Sequence, residues 1–172
     1  MKMFEFSIIA SGLDPQANDF EARFYDAGCD DALVAFQKGR IILDFAREAE
    51  TVQEAISSAV DDVRRAGARV ERVEPDPLVS LSDIAQRSGL TRAAVHNYAS
   101  GERRADFPAP VARVTSNSPL WDWSEVSGWL FQQGALEADV WNQAIYVKST
   151  NVRLHQNVSN PIEPCLDERQ IA

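Results

Sequence analysis

Residues 81–98 constrain this chain more than any other stretch. They read Leu81-Ser82-Asp83-Ile84-Ala85-Gln86-Arg87-Ser88-Gly89, then Leu90-Thr91-Arg92-Ala93-Ala94-Val95-His96-Asn97-Tyr98. Two short helices that cross closely need a small residue at the contact and a permissive backbone at the turn. Ala85 supplies the first and Gly89 the second. Ile84, Leu90, Val95 and Tyr98 fall where a shared core is expected. Ser80 with Asp83 three residues on forms a capping-box start for the first helix, and Thr91 is placed to cap the second.

This is the pattern of a helix-turn-helix. It leaves Arg92, Ala93, His96 and Asn97 on the outer face of the second helix, where side chains of these types can reach base edges. Gly101-Glu102-Arg103-Arg104-Ala105-Asp106 and Phe107-Pro108-Ala109-Pro110-Val111 follow. The next residues predict a β-hairpin, 112–115 with 120–123, turning through Ser116-Asn117-Ser118-Pro119. A further helix is expected from Asp122, spaced from Glu125 as a capping box, through Trp129, Leu130 and Phe131.

The order of these parts resembles the winged-helix DNA-binding domain of MerR-type and excisionase or AlpA-type phage regulators. The resemblance spans residues 78–133 and rests on the helix pair, the Phe-Pro-x-Pro-Val segment, the short wing and the Trp-rich helix. It implies that the second helix enters the major groove and that the wing touches the flanking backbone. Arg92, His96 and Asn97 then become base-reading residues. Arg87, Arg103, Arg104 and Arg113 become phosphate contacts, and Thr91 and Ala93 complete the DNA-facing set. Residues 115–123 contain no Lys or Arg, unlike the usually basic wings of that family.

Charge is distributed in keeping with this reading. The formal net charge is −9, unusual for a DNA binder. Residues 1–77 hold 9 Lys and Arg against 16 Asp and Glu. Residues 78–115 hold five Arg against three acids. The acidity therefore lies away from the proposed DNA face. The chain's 172 residues suit one large domain or two small ones, and a hydrophobic fraction of 45% supports a packed core. No apolar run approaches the roughly 20 residues of a membrane span, and the start lacks a signal-peptide pattern. Cys29 and Cys165 make no metal spacing and are expected to be reduced thiols, Cys29 semi-buried, in a cytoplasmic protein.

The amino-terminal half predicts strand 3–10, a helix opened by Asp14-Pro15 and ended by Gly28, strand 31–37, a Lys38-Gly39 turn and strand 40–46. Helix 51–66 follows, capped by Thr51 with Glu54, and strand 68–73 completes the series. This is a ferredoxin-like βαββαβ order: an antiparallel sheet with both helices on one face and the other face open. Chemistry is not expected in it. Asp30-Asp31 and Asp61-Asp62 are adjacent pairs whose side chains diverge. Both histidines, His96 and His155, lie elsewhere, and no phosphate loop is present. Arg64-Arg65 and Arg69 with Arg72 are read as partners of Asp61, Asp62 and Glu71.

The expected fold is α+β. A ferredoxin-like domain over 1–74 and a linker at 75–79 precede a winged helix-turn-helix over 80–133. A C-terminal helix over 134–156 and an irregular tail over 157–172 complete it. The helix should present Leu136, Val140, Ala144 and Val147, either to the protein's own wing or sheet or to a second subunit. The expected function is a sequence-specific regulator, not an enzyme, without cofactor or metal. It should bind double-stranded DNA as a homodimer, with the first domain used for dimerisation, ligand sensing or partner binding. Two competitors stay open: an antitoxin or adaptor whose acidic domain binds a protein, and a recombination directionality factor.

Overall fold

A computed structural model describes residues 1–158. The fold is mixed α and β, with an antiparallel four-stranded sheet. The amino-terminal half runs β1 (Lys2–Ser11), α1 (Phe20–Asp26), β2 (Ala32–Gln37), β3 (Arg40–Ala49), α2 (Val52–Arg65) and β4 (Arg69–Glu74). Sheet order is β2-β3-β1-β4. Alternation along the strands sends Phe6, Ile8, Ala10, Ile41, Leu43, Phe45, Val70 and Val73 to one face. There they share a core with Phe20 and Phe24 of α1 and with Ala55, Ile56, Ala59 and Val63 of α2.

Local signals set most of these boundaries. Lys38 and Gly39 both adopt positive φ, at 52° and 76°, the geometry a two-residue hairpin turn requires. The Thr51 hydroxyl accepts from the Glu54 amide at 3.1 Å and starts α2. α1 is shorter than its Asp14-Pro15 start implies, because residues 14–19 form turns and the helix begins only at Phe20. β3 runs three residues past its expected end, since Ala49 still pairs with Lys2.

Arg47, on β3, is the buried charge that the sequence reading overlooked. It is 8% exposed. Its guanidinium donates to Asp31 (2.7 and 2.8 Å), Asp62 (2.8 Å), Ser58 (3.1 Å) and the Gly28 carbonyl (2.8 Å). It also lies 4.9 Å from the centre of the Phe45 ring. Burial opposes its charge, but the two carboxylates outweigh that and hold its pKa above the ordinary value. One acid of each adjacent pair, Asp31 and Asp62, thus turns inward, while Asp30 and Asp61 stay exposed. Arg64, Arg65 and Arg69 do pair with Asp61, Asp62 and Glu71. Cys29 is fully buried rather than semi-buried. Burial, reinforced by the Asp62 charge, pushes its thiol up to about 11.

The second half comprises β5 (Leu78–Val79), α3 (Leu81–Ser88), α4 (Arg92–Ala99), β6 (Trp121–Asp122), α5 (Trp123–Gln132) and α6 (Ala138–Val158). Two expectations are corrected. Residues 75–79 are not only a linker: Leu78 and Val79 pair with Asp122 and Trp121. The expected hairpin shrinks to a single bridge, Ala112 with Leu120, because Trp121-Asp122 takes β5 as its partner instead. The Asp122 carboxylate caps α5 through the Ser124 amide at 2.8 Å.

α6 belongs to both cores. Val147 and Leu154 join the amino-terminal core, while Ala144, with Leu136 and Val140, packs in the second. Its residues also finish the sheet. The buried Asn151 amide accepts from the Val73 N–H at 2.7 Å and donates to the Val73 carbonyl at 2.8 Å. β4 covers β1 only from Ser7 onward. Beside the uncovered part, Gln143 donates to the Glu5 carbonyl at 2.8 Å and Asp139 bonds Lys2. The helix extends to Val158, past its expected end at 156; the remainder of the 157–172 tail, with Cys165, lies outside the described residues.

Removing the Asn151 amide leaves two buried backbone groups unsatisfied, at about 1–3 kcal/mol each. Asn151→Leu should therefore lower the unfolding free energy in urea by at least about 2 kcal/mol. A loss too small to measure would mean that water replaces the amide. A second test uses acid. Burial alone would raise the Asp122 carboxyl, but Lys148 (2.5 Å) and Ser124 outweigh it and hold it below its ordinary value. A depressed folded pKa stabilises above the unfolded value and is lost as pH falls through the folded one. Asp122→Asn should flatten the fall of stability below about pH 4, read from melts across pH.

Candidate nucleic-acid interface

α3 and α4 are eight residues each and are joined through Gly89, whose φ is 69°. Both starts form as their sequences imply. The Ser80 hydroxyl and Asp83 carboxylate make a reciprocal capping box, which holds the Asp83 carboxyl below its ordinary value. The Thr91 hydroxyl accepts from the Ala94 amide at 3.1 Å. Ile84 and Val95 are fully buried, with Ala85, Leu90 and Tyr98 packed against the same core. Tyr98 stacks on Phe107 at 6.2 Å, and both rings meet Trp129 edge-on at 5.1 Å. The Trp121 indole N–H donates to the Pro108 carbonyl at 3.0 Å. Phe107 and Pro108 therefore tie the loop after α4 back onto α5 and β6, leaving residues 101–106 exposed between two fixed ends.

The candidate residues divide into two groups. Thr91, Arg92, Ala93 and His96 are exposed and Asn97 is half-buried. Arg92 and His96 are four residues apart on α4 and share a face, with Ala93 and Asn97 beside them. Arg103 and Arg104 are exposed in the following loop. Arg113 is exposed next to the single bridge, at a positive φ of 52°. Arg87 does not join them. Its Nη1 donates to the Asp76 carbonyl at 2.8 Å and its guanidinium lies 5.5 Å from the centre of a Trp123 ring. Burial pushes its pKa down against the pull of Asp83, Asp76 and Glu74. Its place is that of an internal anchor for α3, apart from the exposed set on α4 and the loops after it.

The other arginines among the described residues are neutralised or engaged internally. Arg23, Arg40, Arg47, Arg64, Arg65, Arg69 and Arg72 have carboxylate partners, and Arg153 lies against Tyr146 and Thr150. Among the described residues, the cations whose side chains have no internal hydrogen bond, ion pair or ring contact are Lys38, Arg92, Arg103, Arg104 and Arg113. All but Lys38 lie on α4 and the loops that follow it. Glu102 and Asp106 share that loop, so the free charge there is net positive but modest.

One packing feature was marked in the sequence but not read from it. Gly128 sits inside α5, where glycine is unfavourable by roughly 1 kcal/mol relative to alanine. A Cβ there would lie 2.8 Å from the Trp141 indole nitrogen of α6. Trp141 also stacks on Phe131 at 5.2 Å. The glycine is the place where α6 docks against α5. No group of three or more His, Cys, Asp or Glu among the described residues could hold a metal ion. No helix among them is long and apolar enough to cross a membrane.

Comparison of the chain with protein-family models, with curated proteins and with solved structures finds no match.

The two kinds of arginine should separate by stability. Arg87→Ala loses an internal hydrogen bond and a packed stem, and should destabilise by about 1–2 kcal/mol in urea. Arg92→Ala should stay within about 0.5 kcal/mol of wild type. Equal losses would return Arg87 to the surface set.

Proposed function

We propose that the chain is a sequence-specific regulator of transcription that binds double-stranded DNA through α4. One observation carries the reading: among the described residues, the cations without an internal partner concentrate on α4 and the two loops after it. Phosphate neutralisation needs free cations, since one already paired with a carboxylate releases little counterion from DNA. In this reading residues 80–133 act as a winged helix-turn-helix like that of the MerR and AlpA-type regulators. Its wing is reduced to the loop around Arg113.

The roles follow from residue chemistry. Arg92 is suited to a guanine edge, Asn97 to an adenine edge and Ala93 to a thymine methyl. His96 lies between them. Thr91 sits at the amino end of α4, where backbone amides and the helix dipole favour a phosphate. Arg103, Arg104 and Arg113 take the flanking phosphates. The acidic ferredoxin-like half, residues 1–74, repels nucleic acid and confines binding to the head. One head buries too little surface for tight specificity, so a homodimer on two half-sites is the natural arrangement. A cytoplasmic location is part of the proposal.

A second reading, protein binding by the acidic half, has its own observation. The helix-free face of the sheet carries a shallow cavity of about 430 Å³ lined by Glu5, Ser7, Asp44 and Glu74, chemistry suited to a basic segment.

Selection from random duplex DNA with the purified chain at two salt concentrations tests the main reading. An enriched motif that survives moderate salt supports it; absence of enrichment turns attention to the acidic face. On the selected site, Arg92→Ala should cost about 1–3 kcal/mol and relax specificity at one position. Replacing Arg103 and Arg104 together should weaken all sequences alike and reduce the salt slope by about 2. An unchanged slope removes them from the phosphate set.

A further inference from the structure

The two edges of the sheet are treated in opposite ways. α6 covers the β4 edge through Asn151 and the part of β1 beyond β4 through Gln143. The β2 edge, Ala32–Gln37, pairs only with β3 and contains no charge and no proline, the devices that normally discourage pairing with another strand. We propose that β2 pairs antiparallel with β2 of a second copy of this chain, joining two sheets into one. The interface is independent of the nucleic-acid reading.

The register follows from the hydrogen bonds within the sheet. Ala46 donates to the Asp31 carbonyl, and Ala32 faces Phe45, Val34 faces Leu43 and Phe36 faces Ile41. Because hydrogen-bonded positions alternate, Leu33, Ala35 and Gln37 bond toward β3. Ala32, Val34 and Phe36 then direct their backbone groups outward. The Ala32 N–H is already bonded to the Cys29 carbonyl; its carbonyl and both groups of Val34 and Phe36 remain. A two-fold axis relating antiparallel edge strands stands perpendicular to the sheet, so facing residues point to the same side. With the axis at Val34, the two Val34 residues exchange a reciprocal pair of hydrogen bonds. The partner's Phe36 donates to the Ala32 carbonyl on each side.

Side chains agree with this register and not with an arbitrary partner. Lys38 and Asp30, at opposite ends of β2, are exposed and have no ion pair. The axis at Val34 places Asp30 opposite the partner's Lys38, and the reverse. Phe36 points to the helix side, since it faces buried Ile41, yet it overhangs the edge and is 48% exposed. Its counterpart across the axis is the small Ala32. Beside Ala32 lies a cleft of about 490 Å³, lined by Ala22, Tyr25, Cys29 and Val34, with Tyr25 67% exposed. The partner's Phe36 can enter it. On the other face Leu33, 78% exposed, meets the partner's Ala35. Large residues oppose small ones and an acid opposes a base, as self-pairing requires.

Sedimentation equilibrium of the full chain should give twice the 19.1 kDa mass of one chain. Lys38→Asp places two acids together and should weaken the dimer roughly tenfold. Adding Asp30→Lys should restore it, a reciprocal rescue that a folding defect does not produce. In a Cys165→Ser background, Val34→Cys should form an intermolecular disulfide under mild oxidation, because facing residues of a hydrogen-bonded pair lie about 5.5 Å apart. Leu33→Cys, out of register with itself, should not. A monomer at all concentrations overturns the proposal. So does a dimer indifferent to Lys38→Asp, or equal cross-linking at positions 33 and 34. If duplex selection fails while Val34→Cys cross-links, the dimer stands without the DNA reading.

Discussion

A side-chain amide closes the sheet where another strand would otherwise be needed. Asn151 supplies one acceptor and one donor to Val73, as a paired residue on a fifth strand would. Only a helix held tightly along the edge can present them, and α6 is held at both ends of its contact. Val147 and Leu154 anchor it in the sheet's core, and Ala144 in the core of the helical half. The same helix carries Lys148, which grips the carboxylate that caps α5. The position of α5, and of the α3–α4 pair packed on it, therefore depends on how α6 meets the sheet.

Charge is organised on a second principle. The acidic half uses its arginines on its own carboxylates, most completely at Arg47, where two partly buried acids and a backbone carbonyl surround one guanidinium. Removing one member of such a cluster leaves an uncompensated buried charge, at about 3–5 kcal/mol, so none is available to an external ligand. Among the described residues the helical half leaves four arginines without an internal partner. A chain of net charge −9 thus keeps a local positive surface by neutralising its cations wherever they are not needed outside.

What the sequence made legible was local. Ser80 with Asp83, Thr91, Gly89 and the Lys38-Gly39 turn act within four residues of themselves, and each forms as its chemistry requires. What it concealed depends on partners far along the chain. Trp121-Asp122 could serve as the second arm of a hairpin or pair elsewhere, and only the fold brings Leu78-Val79 beside it. Arg87 lies one turn before the exposed face, and nothing within α3 reveals that Trp123 and the Asp76 carbonyl will receive it. Asn151 and Gln143 look like ordinary polar helix residues until a sheet edge lies against them. Arg92, Ala93 and His96 are exposed as expected because exposure on α4 follows from helical period alone.

These constraints bear on how the proposed regulator would act. α6 shares apolar side chains with both cores, so moving the α3–α4 unit relative to the sheet would strip Ala144 or Val147 of its contacts and part Lys148 from Asp122. Such a rearrangement competes with the burial energy of those side chains, at about 25 cal/mol per Å² of apolar surface. A sheet coupled this firmly to the α3–α4 pair is better suited to fixing the separation and orientation of two such pairs than to transmitting a large hinge motion. Pairing at the β2 edge would place the two α6 helices on the far sides of a continuous sheet, with the heads they carry set by the twist of that sheet. Under the proposed function, specificity would then lie in the spacing of two half-sites as much as in base contacts of α4.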